Sequence, residues 1–319
     1  MINKIRSNFE WKEREILPRT SVLICTYNRG PLIDKTLFAL IKLQSIKPDQ
    51  IVVVNGGGRD DCIKFLKKWK LSFPKLKIIS TINKNLASSR NIGLLHCSGD
   101  IILQTDDDAI PFSDWVEKNI VLHRLYPNVG VLGGPVIDYD GDNYLSAIAD
   151  STTFPKFKRS RYVRNVPGVN SSYKKQLIEN LGEYDENLFR GEDVDFNWRA
   201  ILNGWKILFH TDVKVYHRHR TTWYGLFEQH YMYGKAHYLV RNKWNNMYSH
   251  YPMKIDSIRK IIKWIASWTF IPFIDAIKKA RHVERYNNGF EVLTIFMINI
   301  SNRVGSYKQK KINRLDKTC

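Results

Sequence analysis

Three consecutive carboxylates, Asp106, Asp107 and Asp108, follow the apolar run at 100–104 and precede Ala109-Ile110-Pro111. Carboxylates crowded in this way repel one another, and a divalent cation held by their oxygens relieves the repulsion. In an extended segment Asp106 and Asp108 point to the same side. A solvated acidic turn has the same composition, so both readings stand at this level. A second acidic group, Glu192, Asp193 and Asp195, opens a helical pattern that runs to Asn203-Gly204. Helix N-termini favour anions, which makes these residues caps; beside a bound substrate one of them would instead accept a proton. His217 and His219 alternate on an extended segment, where an imidazole either completes a metal shell or lies on the surface. Arg90 and Asn91 sit in a helical pattern at 85–96, from which they can reach the rim at the strand ends, although an exposed helical arginine is ordinarily solvated. The stretch 168–172 reads as a small-residue turn through which a ligand can approach the backbone.

Short β-branched runs alternate with helical patterns from Ser21 onward: strands at 21–25, 51–54, 76–79 and 100–104, helices at 32–43, 61–70 and 85–96. Nearly unbroken apolar strands predict an α/β protein whose mainly parallel sheet is covered by helices on both faces. Ligands of such sheets bind beyond the carboxyl ends of the strands. Thr26-Tyr27-Asn28-Arg29, Asn55-Gly56-Gly57-Gly58 and Asp106-Asp107-Asp108 each follow a strand, which gathers all three on one rim. After residue 129 the pattern is less regular, with Gly133-Gly134-Pro135 and a basic run at 156–164 that reads as a mobile loop. Strand-like runs recur at 205–209 and 213–216. The predicted organisation is a lead-in at 1–20, an α/β half at 21–130, a mixed half at 131–222 and a helical region at 223–319.

The 319 residues carry 50 Lys plus Arg against 31 Asp plus Glu, a net charge of +19 that implies an anionic partner: nucleotide, nucleic acid or acidic membrane. No nucleic-acid motif accompanies the charge, which ranks a nucleic-acid binder last. Four dispersed cysteines without a CxxC pair indicate neither a zinc cage nor a small disulfide scaffold and fit reduced, cytoplasmic thiols. Residues 1–20 are crowded with charge and lack a secretory apolar region. No apolar window is long enough to span a bilayer. From 254 to 319, 14 Lys plus Arg and 5 Asp plus Glu give 14 − 5 = +9, among Trp264, Trp268, Phe270, Phe273, Phe290 and Phe296. That mixture suits an interfacial helix on acidic lipid, and equally an amphipathic pair packed on the body or in a dimer.

Six segments in order, 21–28 (SVLICTYN), 51–61 (IVVVNGGGRDD), 85–93 (NLASSRNIG), 99–111 (GDIILQTDDDAIP), 168–172 (GVNSS) and 191–200 (GEDVDFNWRA), resemble glycosyltransferase family 2 over about 200 residues. The resemblance implies a GT-A fold, with a nucleotide-sugar-binding half at 21–130, an acceptor-binding half at 131–222, and transfer with inversion at the anomeric carbon. It implies donor contacts from Thr26, Tyr27, Asn28, Arg29, Asn55, Arg90, Asn91, Asp106 and Asp107. Asp106 and Asp108 take the outer positions of a DxD motif that holds Mn²⁺ or Mg²⁺, with His217, rather than His219, as the further ligand. Asp193 falls at the general base, and Asn170, Glu192 and Trp198 at the sugar or acceptor. The implied donor is a UDP-sugar, with dTDP- and GDP-sugars open, and the acceptor is a glycan or lipid-linked glycan. One departure is Asn55, where the family commonly has an Asp that meets the nucleobase; it also leaves room for a degenerate, ligand-binding relative. A second is Gln229-His230-Tyr231-Met232-Tyr233, which lacks the Arg-Trp of the processive branch's QxxRW motif and favours single-sugar transfer.

Overall fold

Val22, Leu23 and Ile24, and likewise Ile51, Val52, Val53 and Val54, are wholly buried. Successive strand residues point to opposite faces, so burial of all of them means that helices cover both sides of the sheet. The computed structural model describes residues 17–57, 62–244, 246–247, 255–283 and 289–315. The chain begins β1 (Thr20–Thr26), α1 (Gly30–Phe38, continued by a π-helical turn at Ala39–Leu43), β2 (Gln50–Asn55), α2 (Cys62–Ser72), β3 (Leu76–Ser80), α3 (Leu86–Leu94) and β4 (Ile101–Asp106). It continues β5 (Ala109–Pro111), α4 (Trp115–Leu125), β6 (Val129–Gly133), β7 (Val136–Asp138), α5 (Tyr144–Thr153), β8 (Arg161–Tyr162), β9 (Asn170–Lys174) and α6 (Lys175–Leu181). Then come α7 (Glu192–Leu202), β10 (Lys206–Phe209), β11 (Val215–His217), α8 (Trp223–Lys243), α9 (Ile258–Trp268), α10 (Phe270–Ala280) and α11 (Phe290–Leu315). Gly58 and Asp61 of the expected second segment lie outside the described residues.

The main sheet runs β3-β2-β1-β4-β9-β6-β10-β8. Its first four strands are parallel, while β9 enters antiparallel between β4 and β6. A second sheet, β5-β11-β7, lies beyond the end of β4. The expected junction at 130/131 falls inside β6, and the sheet passes through it. Three local expectations need correction. Of the stretch 168–172, expected as a turn, Gly168 and Val169 do turn, but Asn170, Ser171 and Ser172 open β9, an interior strand. Its polar side chains are all engaged: Asn170 donates to the Val213 and Pro135 carbonyls at 2.8 and 3.1 Å and accepts from Trp115 Nε1 at 2.9 Å. The basic run at 156–164 holds an edge strand, β8, paired with β10, and Lys156 is tied to Asp150 at 2.6 Å. Asp106 is the last residue of β4 rather than part of the following turn.

The C-terminal helices pack on this body. Gly234 of α8 and Gly305 of α11 let the two backbones meet: a Cβ at Gly234 would lie 1.8 Å from the Asn302 carbonyl oxygen, and one at Gly305 2.0 Å from that of Tyr231. No other residue fits either position. Among the described residues no helix is long and apolar enough to cross a membrane.

A polar chain pins α4 to β9. His123 donates from Nε2 to Ser172 Oγ at 2.8 Å, and Ser172 donates to Asn119 Oδ1 at 2.6 Å. Burial holds His123 and, on α8, His230 neutral by lowering each to about 3. Unfolding restores a value near 6.5, so the unfolded chain takes up protons as the pH falls below that point and stability declines. Between pH 7.5 and 5.5 each histidine is expected to remove roughly 1.4 kcal/mol. Urea denaturation at the two pH values measures the loss, and His123→Gln is expected to remove one histidine's share of it.

Candidate active site

The ends of β1 and β4, the loop before β9, the first turn of α7, the segment after β11 and one face of α8 enclose a cleft of about 440 Å³. Parallel pairing sets Cys25 opposite Asp106, which brings the residues after β1 against the carboxylate triplet. Thr26 donates to Asp107 Oδ2 at 2.7 Å, and Arg29 Nη1 approaches Asp107 Oδ1 at 3.2 Å and also pairs with Asp108. Thr36 of α1 donates to the carbonyls of Asp107 and Ala109 at 2.9 and 2.7 Å, fixing the turn from below. Asp107 is therefore a brace, and burial pushes its carboxyl up to about 7 against the pull of Arg29.

Asp106 and Asp108 also converge on a third group. Antiparallel pairing of β11 with β5 sets His217 opposite Ala109. As a result His217 Nε2 lies 3.2 Å from Asp108 Oδ1, and ligating atoms of Asp106, Asp108 and His217 fall within 4.8 Å of one another. Asp108 Oδ1 is buried with no aligned hydrogen bond. Two carboxylates and an imidazole around such an orphaned oxygen fit Mn²⁺ or Mg²⁺, with the imidazole favouring the softer Mn²⁺. Burial alone would raise Asp108, but His217 and Arg29 outweigh it and hold it at about 2. His219 also lines the cleft, but its Nε2 lies 3.3 Å from Asp150, outside the Asp106, Asp108 and His217 group.

Arg90 is buried, not solvated. It and Glu192 are each 3% exposed and form a direct ion pair between α3 and α7, while Arg90 Nη2 stands 3.8 Å from Asp106 Oδ1. Burial pushes the Glu192 carboxyl up to about 7, with Arg90 opposing. The next residue, Asp193, accepts from its neighbour's N–H, Val194, at 2.8 Å and from the Gly168 N–H at 3.0 Å. Gly168 is required there, because a Cβ would sit 2.6 Å from Arg90 Nη2. Asp193 is the one cleft carboxylate that, among the described residues, touches no cation and no side-chain donor.

Thr26, Tyr27, Arg29, Arg90, Asp106, Asp107, Asp108, Glu192, Asp193 and His217 all line the cleft. Asn91, Asn170, Asn55 and Trp198 do not. Asn91 accepts from the Tyr184 N–H at 2.8 Å and donates to its carbonyl at 3.0 Å, which spends it on the loop before α7. Asn55 Oδ1 accepts from the Gly57 N–H at 3.2 Å, and Asn28 turns the chain at φ 56°. Asp195 is wholly buried and binds Arg199, Lys243 and Trp244, tying α7 to α8. Arg190, Arg218, Arg220, Phe154 and Phe189 line the cleft without having been singled out from the sequence. Their signal was adjacency: Arg190 precedes the acidic group and the other two arginines interleave the histidines. Gln229 and Tyr233, first and last of the segment set against QxxRW, also face the cleft, joined at 3.0 Å.

A family model described as glycosyl transferase family 2 matches residues 21–182, just over half of the chain. The glycosyltransferase AglE of Haloferax volcanii is 28% identical over 201 residues, 62% of this chain and 66% of its own length. Two solved structures share the fold at low identity. The mannosyltransferase PcManGT of Pyrobaculum calidifontis, in complex with GDP-Man and Mn²⁺, gives a TM-score of 0.64 at 16% identity, covering 96% of this chain and 94% of its own. TarS 1–349 of S. aureus, in complex with UDP, gives 0.54 at 18%, covering 91% of each chain.

The buried pair generates an asymmetric prediction. A guanidinium cannot shed its charge, whereas a carboxyl can take up a proton. Glu192→Ala is expected to lower stability by about 3 kcal/mol, because Arg90 is left in the interior with only the more distant Asp106. Arg90→Met is expected to be milder, with a loss that shrinks as the pH is lowered from 8 to 6 and Glu192 becomes neutral. Urea denaturation of both variants across that range measures the difference.

Proposed function

The chain belongs to glycosyl transferase family 2, and on that premise we propose that it is an inverting, metal-dependent transferase. It would move one sugar from a nucleotide-diphosphate sugar to a hydroxyl of a glycan or lipid-linked glycan. The observation that carries this reading is the sorting of the cleft carboxylates by their partners. Asp107 braces the turn, Glu192 neutralises Arg90, and Asp106 and Asp108 converge with His217. Asp193 alone is held only by backbone N–H groups. Each carboxylate oxygen accepts more than one hydrogen bond, so Asp193 keeps capacity for a substrate hydroxyl.

Asp106, Asp108 and His217 would hold the Mn²⁺ or Mg²⁺. When bound, the ion supplies Lewis-acid neutralisation of a departing diphosphate. The chain's own residues do the rest. Asp193 orients the acceptor hydroxyl and takes its proton as that oxygen attacks the anomeric carbon and the bond to the diphosphate breaks. Arg90, fixed by Glu192, keeps positive charge beside Asp106. A single displacement needs one base and no covalent intermediate, and the cleft offers one unpaired carboxylate for it. We place Thr26, Tyr27, Arg29 and Asp107 at the donor nucleotide and Glu192 near the transferred sugar. A UDP-sugar is the favoured donor; solved proteins of this fold hold both UDP and GDP-mannose, so GDP- and dTDP-sugars belong in the same test. We propose a cytoplasmic location, a compartment in which thiols such as those of Cys25, Cys62 and Cys97 stay reduced.

Calorimetric titration with UDP, dTDP and GDP, with and without Mn²⁺, tests the reading. One nucleotide is expected to bind only with the metal, and Asp108→Ala to abolish that dependence. Asp193→Asn is expected to retain nucleotide binding while transfer drops by about 10² to 10⁴. Turnover within a few-fold of wild type in Asp193→Asn would remove Asp193 as the base.

A further inference from the structure

Two C-terminal helices carry their apolar stripes on the wrong side for a water-soluble protein. On α9, Ile258, Ile261, Ile262 and Ile265 follow the i, i+3, i+4, i+7 spacing that normally faces a core. All four are exposed, Ile262 by 61%, and the one buried residue of the helix is Ser267. On α10, Phe270, Phe273, Ile274 and Ile277 repeat the spacing and are likewise exposed, Phe270 by 69%. The opposite side of α10, Pro272 and Ala276, is the buried one. Ala276 joins Ile148 and Ala149 of α5 and Ile295 and Ile298 of α11 in a small core. The body is thus sealed without these stripes, and their eight large side chains form an apolar surface well beyond scattered exposure.

We infer that this face of α9 and α10 docks on an acidic lipid bilayer. Charge selects the occupant. Arg259 and Lys263 on α9 and Lys278 on α10 are exposed and have no carboxylate partner among the described residues. Cations flanking a buried apolar stripe are what anionic headgroups stabilise. A second copy of the chain would set this segment, part of a tail carrying +9, against its own charge. The stripe lengths, eight residues each, suit lying in the interface, and neither helix is long enough to span it. The face is also one helix from the cleft. The α10 helix packs on α5, and Phe154, the residue that follows α5, lines the cleft beside His217. An acceptor anchored in the same bilayer would therefore be held near the catalytic carboxylates.

Sedimentation of the full chain with phosphatidylcholine vesicles, with and without phosphatidylserine, tests the inference. Binding is expected only with phosphatidylserine, weakening as salt is added. Ile262→Asp combined with Ile274→Asp is expected to weaken it at least about tenfold, since two large apolar side chains lose their burial. Both positions are exposed and outside the cleft, so circular dichroism and nucleotide binding should match wild type. Absent binding to acidic vesicles, or equal binding by the double variant, overturns the inference. A concentration-dependent dimer broken by the same substitutions overturns it in favour of a second copy. The assay needs neither donor nor turnover, so its failure leaves the transferase reading standing, and failure of nucleotide binding leaves this inference standing.

Discussion

A guanidinium withdrawn from water must meet a carboxylate, and in this protein that requirement joins two segments 102 residues apart. Arg90 projects from α3, which follows the third strand, and Glu192 opens α7, which follows the sheet's antiparallel centre. Meeting each other, they fix where the first turn of α7 stands relative to the carboxyl ends of β1 and β4. Asp193 is the next residue and inherits its position from that contact. The space filled by the guanidinium leaves room only for glycine at 168, and the bare N–H of that glycine then becomes one of the two donors that hold Asp193. The same guanidinium faces Asp106. One desolvated ion pair therefore sets the relative placement of Asp106 and Asp193.

Charge compensation also explains how five carboxylates share one cleft. Asp107 is neutralised in place by Thr26 and Arg29, and Glu192 by Arg90. Asp108 and His217 favour each other's charged forms: burial opposes both, and their mutual contact prevails. Asp193 stands outside this set of pairs, held by the backbone N–H groups of Gly168 and Val194 alone among the described residues.

The parts of this arrangement visible in the sequence are those set by local pattern. Continuous apolar runs marked β1, β2 and β4 and placed the Asp106-Asp107-Asp108 triplet at a strand end, whereas Asp106 and Asp108 converge through a turn at 107–108 rather than by alternation along an extended chain. The choice of His217 over His219 had no local basis; it depends on the pairing of β11 with β5 and on Asp150, which engages His219. Residues whose role is set by a distant partner were misread. Ser171 and Ser172 look like turn residues, and become strand residues because Asn119, His123 and the Gly168 carbonyl satisfy their hydroxyls. Arg90 looks like a surface residue until Glu192 is placed. Asn91 and Asn170 match functional positions by order in the chain, yet their amides are spent on backbone groups of neighbouring loops. The glycine crossing of α8 and α11 left no periodic signature, because one contact position in each helix suffices.

That crossing bears on how proteins of this kind can diversify. Gln229 and Tyr233 of α8 form a wall of the cleft, and α8 is clasped by the last helix through Gly234 and Gly305, with no side chain between the two backbones. The stretch that matches the family, 21–182, holds Asp106 and Asp108 but ends before this wall, Asp193, His217 and the helix that clasps α8. Exchange of this wall between relatives by recombination would succeed only if α8 and α11 travelled together. A new α8 grafted against the old α11 would meet a backbone where its side chain should be, so these two helices can change only as a pair.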